Sequence, residues 1–244
     1  VYPIGLWGDG TFLYVADNGG SNIRTIFAAG TAVTPVGVFQ VSALPFIISN
    51  RGGLSLTSSG IAQSVTVGYG RIQADSSSIT PSGIAIFGFT QGNVLVSEAA
   101  VPAAPLLQSA RFYAEIGAAV NTGVAIANPN SAPAAVSFYF TNAAGANFNS
   151  GSAIVPPNGQ TAAFLDQTPF WTSGNTADVR TFTINSNVPV SIVALRGFTN
   201  ERSEFLLTTL PVTPVNASVA APLIFPHFAD GGGWKTQVVL VNPS

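Results

Sequence analysis

Short runs of Val, Ile, Phe, Tyr and Thr alternate with small or polar residues along the whole chain, and Gly and Pro interrupt them. A period of two sends successive side chains to opposite faces of an extended strand, so the pattern predicts strands and not helices. Strands are expected over 11–16, 23–27, 63–74, 83–90, 93–100, 111–116, 121–128, 134–142, 178–185, 190–199, 203–209 and 235–242. Val124 and Ile126 alternate with Ala125 and Ala127, giving one face of large side chains and one of small. Phe138 and Phe140 alternate with Ser137, Tyr139 and Thr141, as in a strand with one face in a core and one toward hydroxyl-rich surroundings. Asn142 to Gly145 supplies a turn. Only Phe164 to Trp171 reads as helical, a single turn ended by Pro169. Strands spaced by about 8–12 residues and bounded by turn residues point to a sandwich or a barrel.

The chain also repeats itself. VALRGFTNERSEFLLTTLPV, from Val193, echoes IAIFGFTQGNVLVSEAAVPA, from Ile84, at a shift of 109 residues that superimposes Gly88-Phe89-Thr90 on Gly197-Phe198-Thr199. TQVVLVNP, from Thr236, echoes TGVAIANP, from Thr122, at a shift of 114, so Asn128-Pro129 returns as Asn242-Pro243. A fixed period marks supersecondary modules that bury their apolar faces against their neighbours. The chain therefore reads as the end of one unit, one whole unit and the start of a third. An incomplete β-sandwich unit is expected over 46–105, a complete one over 106–222, and the opening strands of a further unit over 223–244. Proline-rich stretches at Pro102 to Pro105 and Pro211 to Pro222 act as stiff joints.

Residues 1–45 stand apart from this repeat. From Tyr2 to Gly37, Pro3 and Gly5, then Leu13 to Asp17, then Asn22, Ile23 and Arg24 match a Pro-x-Gly opening, Gly-x-Leu-Tyr-Val-Ala-Asp and Asn-x-Ile-Arg. This segment resembles one blade of the NHL-repeat β-propeller family. Propellers close with about four to eight blades, and the chain holds one. The later stretches GGLSLTSSG, TPSGIAIFGF, TGVAIANPNS, VALRGFTNERSEF and FPHFADGGGW resemble a repeat domain that follows such blades in very large secreted bacterial proteins. That resemblance implies an extracellular, multi-domain parent and nothing about catalysis. The expected fold class is all-β: tandem β-sandwich (Ig-like) repeats preceded by a single propeller-blade-like strand segment.

Composition narrows the partners. Hydrophobic residues make up 47% of the chain and charged ones 7%, against about 25% charged in an average soluble domain. Such a surface is covered by Ser, Thr, Asn and Gly or by other protein. A net charge of −2, with eight basic residues scattered singly, leaves no electrostatic footprint for nucleic acid. No apolar run approaches the roughly 18 residues of a membrane-spanning helix, and the repeat argues against a transmembrane barrel. Cysteine is absent, so no disulfide framework exists. Methionine is absent even from position 1, and Val1 opens inside the propeller-like motif, which implies a longer precursor with any secretion signal upstream.

Residues capable of chemistry are sparse. A Ser-His-acid triad would need His227, the sole histidine, which sits in Phe-Pro-His-Phe and reads as a loop-edge residue. Sites built on several imidazoles are impossible within one chain. Glu201 and Glu204 flank Arg202 in a tight hairpin, a solvated charge cluster. Asp9, Asp17, Asn18 and Asn22 read as turn residues before calcium ligands. Gly231-Gly232-Gly233 lacks the Lys-Ser/Thr and helix of a phosphate cradle. Arg71 and Arg180 occupy equivalent places and are expected to close strand ends on carbonyls. Trp7, Trp171 and Trp234 fit cores or interfaces better than sugar platforms. No catalytic residue, cofactor or metal is assigned.

What the sequence does offer is unsatisfied apolar surface. Leu223, Ile224, Phe225, Phe228, Trp234, Val238, Val239, Leu240 and Val241 would each contribute about 1.5–3 kcal/mol if buried. Neither proline nor charge blunts Thr236 to Val241, so it forms a good donor strand. The first unit, conversely, lacks a counterpart of 111–130. The expectation is head-to-tail β-strand complementation, with 223–244 of one copy completing the unit around 46–105 of the next. Such a contact propagates into a filament when its rotation does not close. The expected function is a structural subunit of an extracellular bacterial filament or surface assembly whose partner is itself. The alternative is an adhesion module for glycan or another surface protein, which calls for aromatic and polar residues gathered in one cleft. An enzyme would rest on propeller analogy alone.

Overall fold

Alternation in a sequence becomes a strand only where a neighbour completes the ladder, and one long strand does most of this work. A computed structural model describes residues 46–58, 67–76, 78–171, 176, 178–215 and 222–242, with the backbone of three short strands ahead of them. The described residues form strands and no helix, so the all-β expectation holds. Early in the chain β1 (Gly5–Gly8) pairs with β2 (Leu13–Ala16), and β3 (Ile23–Arg24) pairs with β4 (Gln73–Ala74). Next come β5 (Ile84–Gln91), β6 (Val94–Pro102), β7 (Leu106–Tyr113), β8 (Val120–Asn128), β9 (Ala134–Thr141), β10 (Asn147–Val155) and β11 (Gly159–Phe164). The last three are β12 (Thr181–Thr199), β13 (Phe205–Leu210) and β14 (Thr213–Pro214).

β12 belongs to two ladders. Its first half lies between β9 and β7, extended to β10 and β14, and its second half lies between β8 and β13, with β11 beyond β8. The switch falls between Asn185 and Val190, where the register on β7 shifts. Pro189 sits there, at a crossover where its missing N–H breaks no ladder bond. Phe182, Ile184, Val190, Ile192 and Ala194 are all buried, so one period-two face is kept through the bend. Across the core stand Ala110 and Phe112 of β7, Val124 and Ile126 of β8, and Val136, Phe138 and Phe140 of β9. Phe182 packs against Phe112, Phe138, Phe140 and Phe170 with ring centroids 4.7–5.5 Å apart. Trp171 meets Phe140 edge-on at 4.8 Å. Each such buried aromatic contributes about 1.5–3 kcal/mol.

One buried amide gathers several backbone groups at the end of β8. Asn128, fully buried at the end of β8, donates Nδ2 to the carbonyls of Ala132, Val155 and Pro156. Its Oδ1 accepts from the backbone N–H and side-chain amide of Asn130. The Asn142 turn forms as expected, with Gly145 N–H on the Asn142 carbonyl and Gly145 at a positive φ of 81°.

Several expected elements differ. β7 begins at Leu106 and leaves the ladder after Tyr113, where 111–116 was expected, because β12 and β14 pair it further upstream. The strands expected over 178–185 and 190–199 are one strand. Of 63–74, residues 67–72 form no strand and 63–66 lie outside the described residues. Phe164 to Trp171 is a succession of turns rather than a helix, with Gln167 N–H on the Phe164 carbonyl and Phe170 N–H on that of Gln167. β10 and β11 have no counterpart in the sequence reading. Residues 235–242 are not a strand, and no ladder among the described residues includes them.

Ahead of this body, the hairpin β5–β6 reproduces β12–β13. Ala85 faces Val101, Ile86 faces Ala100, Phe87 faces Ala99, Gly88 faces Glu98 and Phe89 faces Ser97. At a shift of 109 these become Ala194–Leu210, Leu195–Thr209, Arg196–Thr208, Gly197–Leu207 and Phe198–Leu206, each of which is a pair in the β12–β13 ladder.

Candidate functional site

The two copies of this hairpin have different surroundings. In β6, Ser97, Ala99 and Val101 are buried. Ser97 Oγ accepts from the Leu207 N–H at 2.8 Å, and the Ala100 carbonyl accepts from Thr209 Oγ1 at 2.6 Å. Phe205 joins the layers, its ring edge-on to Phe89 at 6.5 Å and to Phe164 at 6.0 Å. β6 therefore covers the edge of β13. β5, in contrast, pairs with β6 alone among the described residues and is exposed along its entire length. Ile84 and Ile86 on one face, and Phe87 and Phe89 on the other, are 43–64% accessible. Its second edge and much of both faces are open apolar surface.

The second apolar surface is the C-terminal segment. Leu223, Ile224, Phe225, Phe228, Trp234, Val238 and Leu240 are 47–76% accessible, while Val239 and Val241 are half-buried. Order here comes from a turn bridging Gly231 and Trp234, and from Thr236 Oγ1, which donates to the Ala229 carbonyl at 2.6 Å. The Asn242 carbonyl accepts from Arg111 Nη1 at 2.9 Å. Among the described residues, no strand brings this segment to β5.

Several charged groups pair within the body. Glu115 pairs with Arg196 at 2.7 Å, both half-buried, and the Arg196 guanidinium lies over the Phe198 ring. Burial, then the neighbouring Glu115 carboxylate, pushes the Tyr113 phenol above its ordinary range. Glu204 is held below the usual carboxylate range by the Asn200 amide and then by Arg202, which it meets at 2.6 Å. Arg180 Nη1 donates to the Val179 carbonyl as expected, whereas Arg71 donates to the Gln73 side chain. His227 and Lys235 are exposed. The described residues hold no group of His, Cys, Asp and Glu able to bind a metal, and the candidate turn residues Asp9, Asp17, Asn18 and Asn22 lie outside them.

A cleft of about 250 Å³ opens where residues 102–105 cross β12 and β13. Its lining is aliphatic, including Val101, Leu107, Ile192, Leu210 and Val212, with Thr209 at one side. The aromatic and polar cleft called for by a glycan binder is not found there. Trp171 is in the core and Trp234 is exposed at the surface. Ser97 and Thr209, which seat the hairpin, were not singled out by sequence reasoning. The 109-residue period was the signal that could have found them.

No helix among the described residues is long and apolar enough to cross a membrane. No family model matches the chain, and no curated protein is similar to it. Among solved structures it is similar to the crystal structure of Thermotoga maritima 1070, at 14% identity over 43% of this chain and 93% of that one, with a TM-score of 0.36.

Proposed function

We propose that the chain is a structural subunit of an extracellular filament or surface assembly, polymerising head to tail by β-strand complementation between tandem β-sandwich units. The observation that carries this reading is the pair of complementary deficits. Among the described residues β5 pairs with β6 alone, and residues 223–241 expose large apolar side chains and join no ladder. Exposed apolar strands with unpaired backbone groups are templates for another chain, and adding a strand satisfies both the edge and the side chains. A low density of charge suits a chain whose surface is covered by its own copies. The propeller-like segment and the bacterial cell surface as its setting belong to the same reading. The aliphatic lining of the cleft gives no specific support to the adhesion reading.

Electron microscopy of the purified chain beside a variant ending at Ala221 tests this. Regular filaments from the full chain and monomers from the shortened one support strand donation. Soluble monomers from both rule it out.

A further inference from the structure

The register in which such a strand would add can be read from the chain itself, because the complete unit contains the same pairing already made. There β8 occupies the edge of β12 away from β13, with Gly197 opposite Asn121, Arg196 opposite Thr122, Leu195 opposite Gly123, Ala194 opposite Val124 and Val193 opposite Ala125. From Ala85 to Phe89 the β5–β6 ladder repeats the β12–β13 ladder pair for pair, so the edge of β5 away from β6, unpaired among the described residues, corresponds to the edge that β8 fills. Residues 234–241 are the sequence counterpart of residues 120–127.

Building on the complementation reading, we infer that residues 234–241 of a second copy add antiparallel to β5 with Lys235 opposite Gly88, Thr236 opposite Phe87, Gln237 opposite Ile86 and Val238 opposite Ala85. Two independent features agree with this register. Val124 and Ile126, the counterparts of Val238 and Leu240, are 3% and 0% accessible in the complete unit, against 47% and 71% for the C-terminal pair. The register turns Val238 toward the face of β5 that carries Phe87 and Phe89, and a slip of one residue would turn it to the opposite face. Charge gives the second. Gly88 already faces Glu98 on β6, so Lys235, the sole lysine, would share a face with Glu98 across a residue that has no side chain. Two strand spacings separate their backbones by about 10 Å, within reach of two long side chains.

Site-directed cross-linking decides the register, and a chain without cysteine suits it. Paired residues in an antiparallel ladder have Cα atoms about 4.5–5.5 Å apart, inside the span a disulfide bridges. The full-length single variants Ile86→Cys and Gln237→Cys are mixed under mild oxidation. Ile86→Cys mixed with Thr236→Cys or with Val238→Cys provides the one-residue slips, and circular dichroism checks that each variant is folded. The expected result is covalent heterodimer from the first mixture and its loss from the other two. A ladder of multimers is expected from the Ile86→Cys/Gln237→Cys double variant. Cross-links favouring Thr236 or Val238 overturn the register and leave complementation standing. Filaments without a cross-link in any mixture place the donor elsewhere than on β5, while neither filaments nor cross-links reject complementation as well. A double variant that closes only within one chain overturns the second copy as the occupant.

Discussion

Thr209 donates its hydroxyl hydrogen bond, at 2.6 Å, to the carbonyl of Ala100, the residue 109 positions before it. That separation equals the repeat shift, so each residue meets its own counterpart in the other hairpin. Ser97 and Leu207 make the neighbouring contact. Going from Ser97 to Ala100 on β6 accompanies going from Leu207 to Thr209 on β13, so the two strands run in the same sense. Related hairpins stacked in one direction are what a propagating array of modules needs. Here side chains bonding to backbone hold them together in place of a shared ladder.

A variant combining Thr209→Val with Ser97→Ala should therefore loosen the hairpin without unfolding the body. Each lost bond is worth about 1 kcal/mol, so amides of β5 and β6 should exchange roughly 30-fold faster when both are gone. Hydrogen exchange measures this, and unchanged rates in β5–β6 would show that the two bonds do not seat it.

Replacing Asn128 with Leu should be the most costly single change at the end of β8. Its amide serves the carbonyls of Ala132, Val155 and Pro156 and also accepts from Asn130. Leaving those buried groups without partners costs about 3 kcal/mol. Urea unfolding should show a lower midpoint at nearly constant slope. A loss below about 0.5 kcal/mol, as at an ordinary surface site, would contradict this account.

How far the sequence foretold the fold depended on how each strand is stabilised. β6, β8 and β9 were legible because their alternation is that of a packed face, and β5 and β13 because they are runs of large apolar residues that repeat at a shift of 109; the observed burial of β9 follows Phe138 and Phe140 as expected. β10 was not. It is an edge strand, mostly exposed, and Gly151 interrupts its pattern because a Cβ there would lie 2.6 Å from the Phe138 ring. β11, Gly-Gln-Thr-Ala-Ala-Phe, has no large apolar residue before Phe164, and its strand character comes from pairing with β8. The Asn-Ser-Asn-Val-Pro stretch at 185–189 reads as a break, yet the chain only changes ladders there. Residues 235–241 have the opposite problem: a strand-forming pattern that joins no ladder among the described residues. The repeat that makes the candidate surfaces recognisable was visible in the sequence, but the covering of the β13 edge by β6 was not.

Glu204 should carry a small, directional pH dependence. Its carboxyl lies below its ordinary pKa, first through the Asn200 amide and then through Arg202. A folded-state pKa below the unfolded one stabilises the fold at pH above the unfolded value, and this contribution is lost as pH falls through the folded value. Asn200→Ala should raise the Glu204 pKa toward the usual carboxylate range and remove part of that acid-side dependence. Carboxyl carbon NMR follows the titration directly, and an unshifted Glu204 in the variant would reject the assignment of cause.

Charge reversal gives the assembly a test that a misfolded variant cannot imitate. Glu98 is exposed on β6 and faces Gly88, and Lys235 is exposed in the C-terminal segment. Both side chains are exposed, so Glu98→Lys and Lys235→Glu should each leave the urea midpoint within about 0.5 kcal/mol of the parent. Each single variant places like charges near one another across the joint, and such a pair costs up to about 1 kcal/mol at an exposed site. The critical concentration for assembly should rise roughly 5-fold, with a larger effect at low salt because exposed charges are screened. Restoring opposite signs in the double variant should bring it back toward the parent value. Light scattering over a concentration series reads all four proteins, and additive defects in the double variant would separate Lys235 from Glu98 and exclude the proposed register.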